Sequence, residues 1–155
     1  MGTFQVELKK VVDDSYEIEV GFALEDKLIQ DLQNGLVGKI HKFAVVTDSN
    51  VASLYGEPIL HKLQNVGFQA DLFVFEAGEK QKTRQTKEMV EDAMLAKQYR
   101  RDCCVIAVGG GVVTDLAGCR YIRKRCTIYQ LCDYTACGSR CIRGRKDCGG
   151  YTACH

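Results

Sequence analysis

Three short stretches of the chain carry residue types that could do chemistry: TDSN (47–50), EAGEKQKTRQTK (76–87) and AVGGGVVTDLAG (107–118). Each follows an apolar run. In the first, Asp48 could accept hydrogen bonds from ribose hydroxyls, and Asn50 adds both a donor and an acceptor. The same two residues could equally cap the helix that follows. In the second, Gly78 permits a sharp turn, Glu79 offers an acceptor, and Lys80 and Lys82 supply cations. A solvated helix start is the plainer reading, but cations oppose the dipole at that end and so hint at an anionic ligand. In the third, consecutive glycines let backbone N–H groups approach a bulky anion such as a pyrophosphate. The pattern is not the GxGxxG dinucleotide fingerprint. Asp115 could orient a ligand or serve the helix as a cap. His41, His61 and His155 have no metal-ligand spacing.

The segments between these loops alternate in character. ALEDKLIQDLQNGL (23–36) places Leu24, Leu28, Ile29, Leu32 and Leu36 on one helical face, and VASLYGEPILHKLQNVG (51–67) is helical in pattern but interrupted by Gly56 and Pro58. QKTRQTKEMVEDAMLAKQY (81–99) predicts a long helix with Met89, Val90, Ala93, Met94 and Leu95 inward. KFAVVTD, ADLFVF and DCCVIAV read as short, continuously apolar strands. FQVELKKV and YEIEVG alternate with period two, as a hairpin or two edge strands would. Buried strands separated by helices predict an α/β fold: a Rossmann-like parallel sheet covered on both faces, with the nucleotide-binding domain incomplete.

Composition divides the chain. Residues 1–118 hold 13 Lys and Arg against 18 Asp and Glu, a net −5, whereas residues 119–155 hold 8 against 2, a net +6. Seven of the nine cysteines fall in that second segment. A shift this abrupt marks a boundary, so the sequence reads as a domain over 1–118 and an unrelated tail over 119–155. The N-terminal stretch is charged and alternating, with no apolar signal core, and no apolar run reaches membrane-spanning length. Gly2 is present, but Val6 stands where a myristoylation signal favours Ser or Thr. A cytoplasmic setting follows, with no membrane partner. There, clustered cysteines would suggest metal rather than disulfides, yet the tail contains no CxxC pair.

Taken together, TDSNV (47–51), GEKQKTRQTKEMVEDAML (78–95) and VGGGVVTDLAG (108–118) resemble the 3-dehydroquinate synthase family of sugar-phosphate cyclases, in order and approximate spacing. The resemblance covers roughly residues 1–118, the family's NAD-binding part. It implies that Asp48 and Asn50 contact the adenosine side of NAD and that Glu79 and Lys82 hold the cofactor. Gly110, Gly111 and Val112 would lie against its phosphates, and Asp115 beside the nicotinamide end. It further implies a divalent metal, zinc or cobalt, whose ligands lie in a C-terminal domain that this sequence lacks. The implied substrate is a seven-carbon heptulosonate phosphate, cyclised to 3-dehydroquinate with loss of phosphate in the shikimate pathway, by a homodimer. Valiolone synthases share all three motifs and stand as the alternative.

After Gly118 the family pattern stops. Residues 119–155 contain no Phe, Val, Met or Glu and a single Leu, too little to build a core. Reading the tail one base later restores the missing segment. The codons of residues 128–148 can be written Phe-Ile-Asn-Phe-Ala-Thr-Thr-Leu-Leu-Ala-Ala-Val-Asp-Ala-Ser-Val-Gly-Gly-Lys-Thr-Ala, with Ala where the family usually has Pro. The tail therefore reads as an out-of-frame translation, expected to be irregular, behind a truncated synthase. Losing a strand with about four buried apolar side chains forfeits on the order of 6–12 kcal/mol, comparable with a domain's net stability. The expectation is a marginally folded chain that binds NAD weakly or not at all and has no turnover. Two other readings of the tail are a basic segment contacting nucleic acid, for which it lacks an aromatic platform beyond scattered tyrosines, and a zinc module. No nucleic-acid partner is expected.

Overall fold

A computed structural model describes residues 18–21, 24–35, 40–100, 103–117, 127–134 and 139–146. In chain order the elements are β1 (Ile18–Gly21), α1 (Leu24–Gln33), β2 (Lys42–Asp48), α2 (Glu57–Asn65), β3 (Ala70–Phe75), α3 (Arg84–Ala96), β4 (Cys103–Val108), α4 (Gly111–Ala117), β5 (Thr127–Tyr134) and β6 (Ser139–Lys146). The sheet order is β1-β6-β5-β4-β2-β3. Strands β3, β2, β4 and β5 run parallel, while β6 pairs antiparallel with both β5 and β1. The expected α/β architecture, a largely parallel sheet with helices, is therefore present. The segment 4–11 and Leu36 lie outside the described residues.

The apolar runs of β2 and β4 sit where both faces of the sheet are covered, but ADLFVF does not: β3 is the edge strand, with Phe73 and Phe75 buried and Val74 44% exposed. On one face Ala44, Val46, Phe73, Phe75, Val105 and Ala107 pack under α3 and α4. On the other, Phe43, Val45, Ile106 and Val108 pack under α1 and α2, through Leu28, Leu32, Ile59 and Leu63. Leu24, Leu28, Ile29 and Leu32 of α1 are all buried, as their spacing predicts. Gly56 and Pro58 do not break the second helix. A π-helical turn over Ala52–Gly56 runs directly into α2, and Pro58 sits in the first turn, where its missing N–H costs nothing. A Cβ on Gly56 would come within 3.0 Å of Thr47 Cγ2, so glycine there lets the helix lie close on the sheet.

Helix α3 departs from expectation. Only Thr86, Val90 and Met94 are buried, while Met89 and Leu95 are 52% and 55% exposed. Ala93 is exposed as well. The helix lies on the sheet along one narrow line of residues four apart, so counting apolar residues overestimates the buried face.

The tail also differs from the irregular segment expected. β5 pairs parallel with β4 from Cys104↔Thr127 to Val108↔Leu131, and β6 folds back against it with a register shift between Ile128 and Gln130. An open edge at β4 presents unpaired N–H and C=O groups that any extended segment can satisfy. TIYQLCDY is rich in β-branched and aromatic residues that favour extension. Backbone pairing thus fills the slot whatever side chains the segment carries.

At the edge of the sheet opposite the loops, Tyr99 closes the end of α3 against the strands. Its hydroxyl lies 2.8 Å from the Phe43 carbonyl oxygen and 2.9 Å from Asp71 Oδ2, and its one proton is shared between these acceptors. Lys97 Nζ donates to Asp71 Oδ1 at 2.7 Å, and Lys42 Nζ donates to the Lys97 carbonyl at 3.0 Å. Burial pushes the Asp71 carboxyl up. The bonds from Lys97 and Tyr99, with the charges of Lys97 and Lys42, outweigh that and hold it below the usual carboxylate value. Burial first, then the bond to Asp71 and its charge, pushes the Tyr99 hydroxyl far above its ordinary range, so it stays a donor. Because the folded Asp71 pKa is depressed, the cluster's contribution is complete above about pH 4 and fades as pH falls through the folded value. Tyr99→Phe is expected to lower the unfolding free energy by about 1–2 kcal/mol at neutral pH. The gap from wild type should narrow when urea unfolding is repeated below about pH 4.

Candidate functional site

From β2 the chain crosses one face through α2 to reach β3, then crosses the other face through α3 to reach β4 on the far side of β2. The winding reverses between β2 and β4, and the crevice at the carboxyl ends of such strands is where open α/β sheets take ligands. Its floor is pinned by a residue the sequence reading passed over. Thr47 is fully buried, and its Oγ1 donates to the Val108 carbonyl at 2.8 Å across β2 and β4.

The loop after β2 is shaped by Asp48, whose Oδ1 accepts from the N–H groups of Asn50 at 2.9 Å and Val51 at 3.1 Å. Asp48 therefore shapes the loop and does not cap the helical turn, whose N-cap is Val51 with no side-chain cap bond, and Oδ2 makes no hydrogen bond among the described residues. Asn50 is exposed beside it. Ser49, also unremarked in the sequence, donates its N–H to the Phe75 carbonyl at 2.8 Å and accepts from the Ala77 N–H through Oγ at 3.0 Å.

The loop after β3 turns at Gly78, with φ of +125°, into a 3-10 turn over Glu79–Gln81. The Gln81 amide donates to Glu76 Oε2 at 2.9 Å and accepts from Thr86 Oγ1 at 3.3 Å. Thr83 caps α3 by accepting from the Thr86 N–H at 3.2 Å. The cation of Lys82 is thereby carried to the third loop, where Nζ lies 2.6 Å from Asp115 Oδ2 and 3.9 Å from Glu79 Oε1. The hydrogen bond to Asp115 and then its charge raise the Lys82 pKa, outweighing an opposing effect of burial, and the charge of Glu79 adds least, so the ammonium is retained. Both partners are about half exposed, so water screens the pair and it contributes little to stability.

In the third loop the glycines divide into two kinds. Gly109 is buried at φ of +148°, and a Cβ there would stand 2.6 Å from Cγ2 of the fully buried Val113. Gly110 and Gly111 have neither a positive φ nor any atom within 4 Å of where a Cβ would be. They are exposed, and nothing within the described residues requires glycine at either position. Val112 is half-buried and packs against the core, which leaves its backbone rather than its side chain for a ligand. Thr114 Oγ1 donates to the Gly111 carbonyl at 3.0 Å and steadies the start of α4.

The structure thus brings Lys82, Glu79 and Asp115 together, sets Gly110 and Gly111 at the start of α4, the helix that carries Asp115, and holds Asp48 and Asn50 on a neighbouring loop. His41 and His61 are exposed surface residues. Among the described residues no group of three or more His, Cys, Asp or Glu side chains is placed to hold a metal ion, so these residues do not fit a metal centre. No helix among them is long and apolar enough to cross a membrane.

Residues 72–124 match the family model described as 3-dehydroquinate synthase N-terminal. The 3-dehydroquinate synthase of Desulforamulus reducens is 39% identical over 118 residues, 76% of this chain and 32% of the relative. That of a Synechococcus species is 35% identical over 103 residues, 66% of this chain and 28% of the relative. The chain therefore spans about a third of the length of the curated relatives it matches. Among solved structures, the 2-epi-5-epi-valiolone synthase ValA from Streptomyces hygroscopicus subsp. jinggangensis, with NAD+ and Zn2+ bound, is 31% identical. Its TM-score is 0.55, covering 73% of this chain and 30% of that one. A 2-deoxy-scyllo-inosose synthase complexed with carbaglucose-6-phosphate, NAD+ and Co2+ shares the fold at 17% identity, with a TM-score of 0.59 over 66% of this chain and 29% of that one.

The two kinds of glycine separate experimentally. Gly109→Ala is expected to cost about 1–3 kcal/mol in urea unfolding, through strain and overlap with Val113. Gly110→Ala and Gly111→Ala should stay within about 1 kcal/mol of wild type. Equal losses at all three positions would contradict the distinction.

Proposed function

Because the N-terminal part of this chain belongs to the 3-dehydroquinate synthase family, we propose that its three loops form the NAD site of such a cyclase. The observation that carries this reading is the pair of open glycines, Gly110 and Gly111, at the start of the helix whose Asp115 meets the Lys82 ammonium at the switch point of the sheet. Glycines with no internal reason to be glycine leave backbone N–H groups open to an external anion, and a retained cation stands on the adjoining loop. In this reading Asp48, through the oxygen not bonded within its own loop, and Asn50 take the adenosine side, while Glu79 and Lys82 hold the cofactor. The backbone at Gly110, Gly111 and Val112 lies against the pyrophosphate, and Asp115 lies toward the nicotinamide. When bound, NAD supplies reversible hydride transfer to and from a substrate alcohol. The chain's own contribution is to bind and orient the dinucleotide. No step of this reading runs through the metal.

The reaction served in the intact enzyme is cyclisation of a heptulosonate phosphate to 3-dehydroquinate in the cytoplasm, within the shikimate pathway, by a homodimer. The match to curated relatives named 3-dehydroquinate synthase, up to 39% identical against 31% for the valiolone synthase, favours this product. Residues 119–155 are proposed to be a frame-changed segment unrelated to the domain before it. Support comes from the abrupt change in charge and cysteine content after Gly118; the family match runs a little past it, to residue 124. The proposal makes sharp demands on codons. The third base must be T at Thr135 and Ala136, to give Leu-Leu, and G at Gly144 and Arg145, to give Gly-Gly. Reading the nucleotide sequence past codon 118 tests this, and any other third base at these four positions overturns it.

Without the family's next segment, the site holds the adenosine and pyrophosphate end alone. NAD should therefore bind with a Kd of the order of 1 mM. ADP-ribose, which lacks the nicotinamide, should bind about as well, and the chain should turn nothing over. Ligand-observed NMR titration checks this, and NAD binding at least tenfold tighter than ADP-ribose would contradict it.

A further inference from the structure

Ser49 sits between the two loops that a dinucleotide must touch together. It is exposed and contributes nothing to either core cluster. Yet its N–H donates to the Phe75 carbonyl and its Oγ accepts from the Ala77 N–H. The strands β2 and β3 end in register at Asp48↔Phe75, and these two bonds carry the pairing past that point, into the loops themselves. The neighbouring side chains do something different. Asp48 fixes the internal shape of its own loop through Asn50 and Val51. Gln81 fixes the internal shape of the other through Glu76 and Thr86. Ser49 supplies a side-chain bond from one loop to the other, one residue before Gly78 and the turn that carries Glu79 and Lys82.

We propose that Ser49 is a positioning residue for dinucleotide binding, an inference that rests on the NAD site proposed above. A ligand anchored at Asp48 and Asn50 gains from a second anchor at Lys82 only to the extent that the separation of the two loops is already set. The serine hydroxyl sets it, acting as an acceptor through the Ala77 backbone without touching the ligand. Because the bond is exposed, water replaces it when it is lost, and the effect on overall stability is small. The hydroxyl of threonine can accept the same N–H, whereas alanine cannot.

The test uses the full chain as wild type, Ser49→Ala and Ser49→Thr, titrated by ligand-observed NMR with adenosine and separately with ADP-ribose, alongside thermal melts. Ser49→Ala should leave adenosine binding unchanged and weaken ADP-ribose by about three- to tenfold. Its melting temperature should stay within about 2 °C of wild type. Ser49→Thr should return ADP-ribose binding to within about twofold of wild type. Equal weakening of both ligands together with a lower melting temperature would overturn the proposal in favour of a purely structural role. Unchanged ADP-ribose binding in Ser49→Ala would overturn it while leaving the NAD site intact. If wild type binds ADP-ribose no better than adenosine, the NAD site itself fails, and the role of Ser49 with it.

Discussion

The parallel pairing of β2 with β4 is the constraint on which the rest depends. Their register, from Lys42↔Cys103 to Thr47↔Val108, is buried on both faces and locked at its carboxyl end by the Thr47 hydroxyl. A slip of one residue would turn Ala44 and Val46 into the α1–α2 layer and Phe43 and Val45 into the α3–α4 layer, undoing both cores at once. With that register fixed, Asp48 and Gly109 must emerge side by side at one edge, and β3 brings Gly78 to the same edge. Convergence of the loops is a consequence of topology, and their chemistry is what the sequence adds.

Much of this was legible because it is written in local pattern. Continuous apolar runs gave the buried strands β2 and β4, though the same pattern in ADLFVF gave a half-exposed edge strand, and the leucines of α1 gave its inward face. What escaped was whatever depends on partners far along the chain. Thr47, Ser49 and Gln81 are ordinary polar residues until Val108, Ala77, Glu76 and Thr86 are brought to them. Met89 and Leu95 were misread for a related reason. Apolarity reports the tendency to be buried, but the breadth of the buried face on α3 is set by how it lies on the sheet. The Asp48 alternatives, cap or ligand contact, could not be separated from type and spacing. In the structure one oxygen is committed to the backbone, and the carboxylate has a second.

The strand β5 marks the limit of reading function from pairing. A parallel sheet needs an extended neighbour at β4, and the backbone of residues 127–134 provides one. Hydrogen bonding along a ladder is indifferent to side chains, so this segment can complete the sheet without bringing the polar groups a cofactor would require. Fold and site are separable here. The two core layers and the three loops lie in the part of the chain that matches the 3-dehydroquinate synthase relatives, and β5 completes the sheet through its backbone.

The account stands on the three loops acting as one dinucleotide site at the carboxyl edge of the sheet. Two-dimensional amide NMR of the labelled chain during titration with NAD tests this most directly. The prediction is that shifts which saturate together gather at Asp48–Val51, Ala77–Lys82 and Gly109–Asp115, and leave the Asp71–Tyr99 edge still. Shifts centred on that opposite edge, or confined to a single loop, would contradict it.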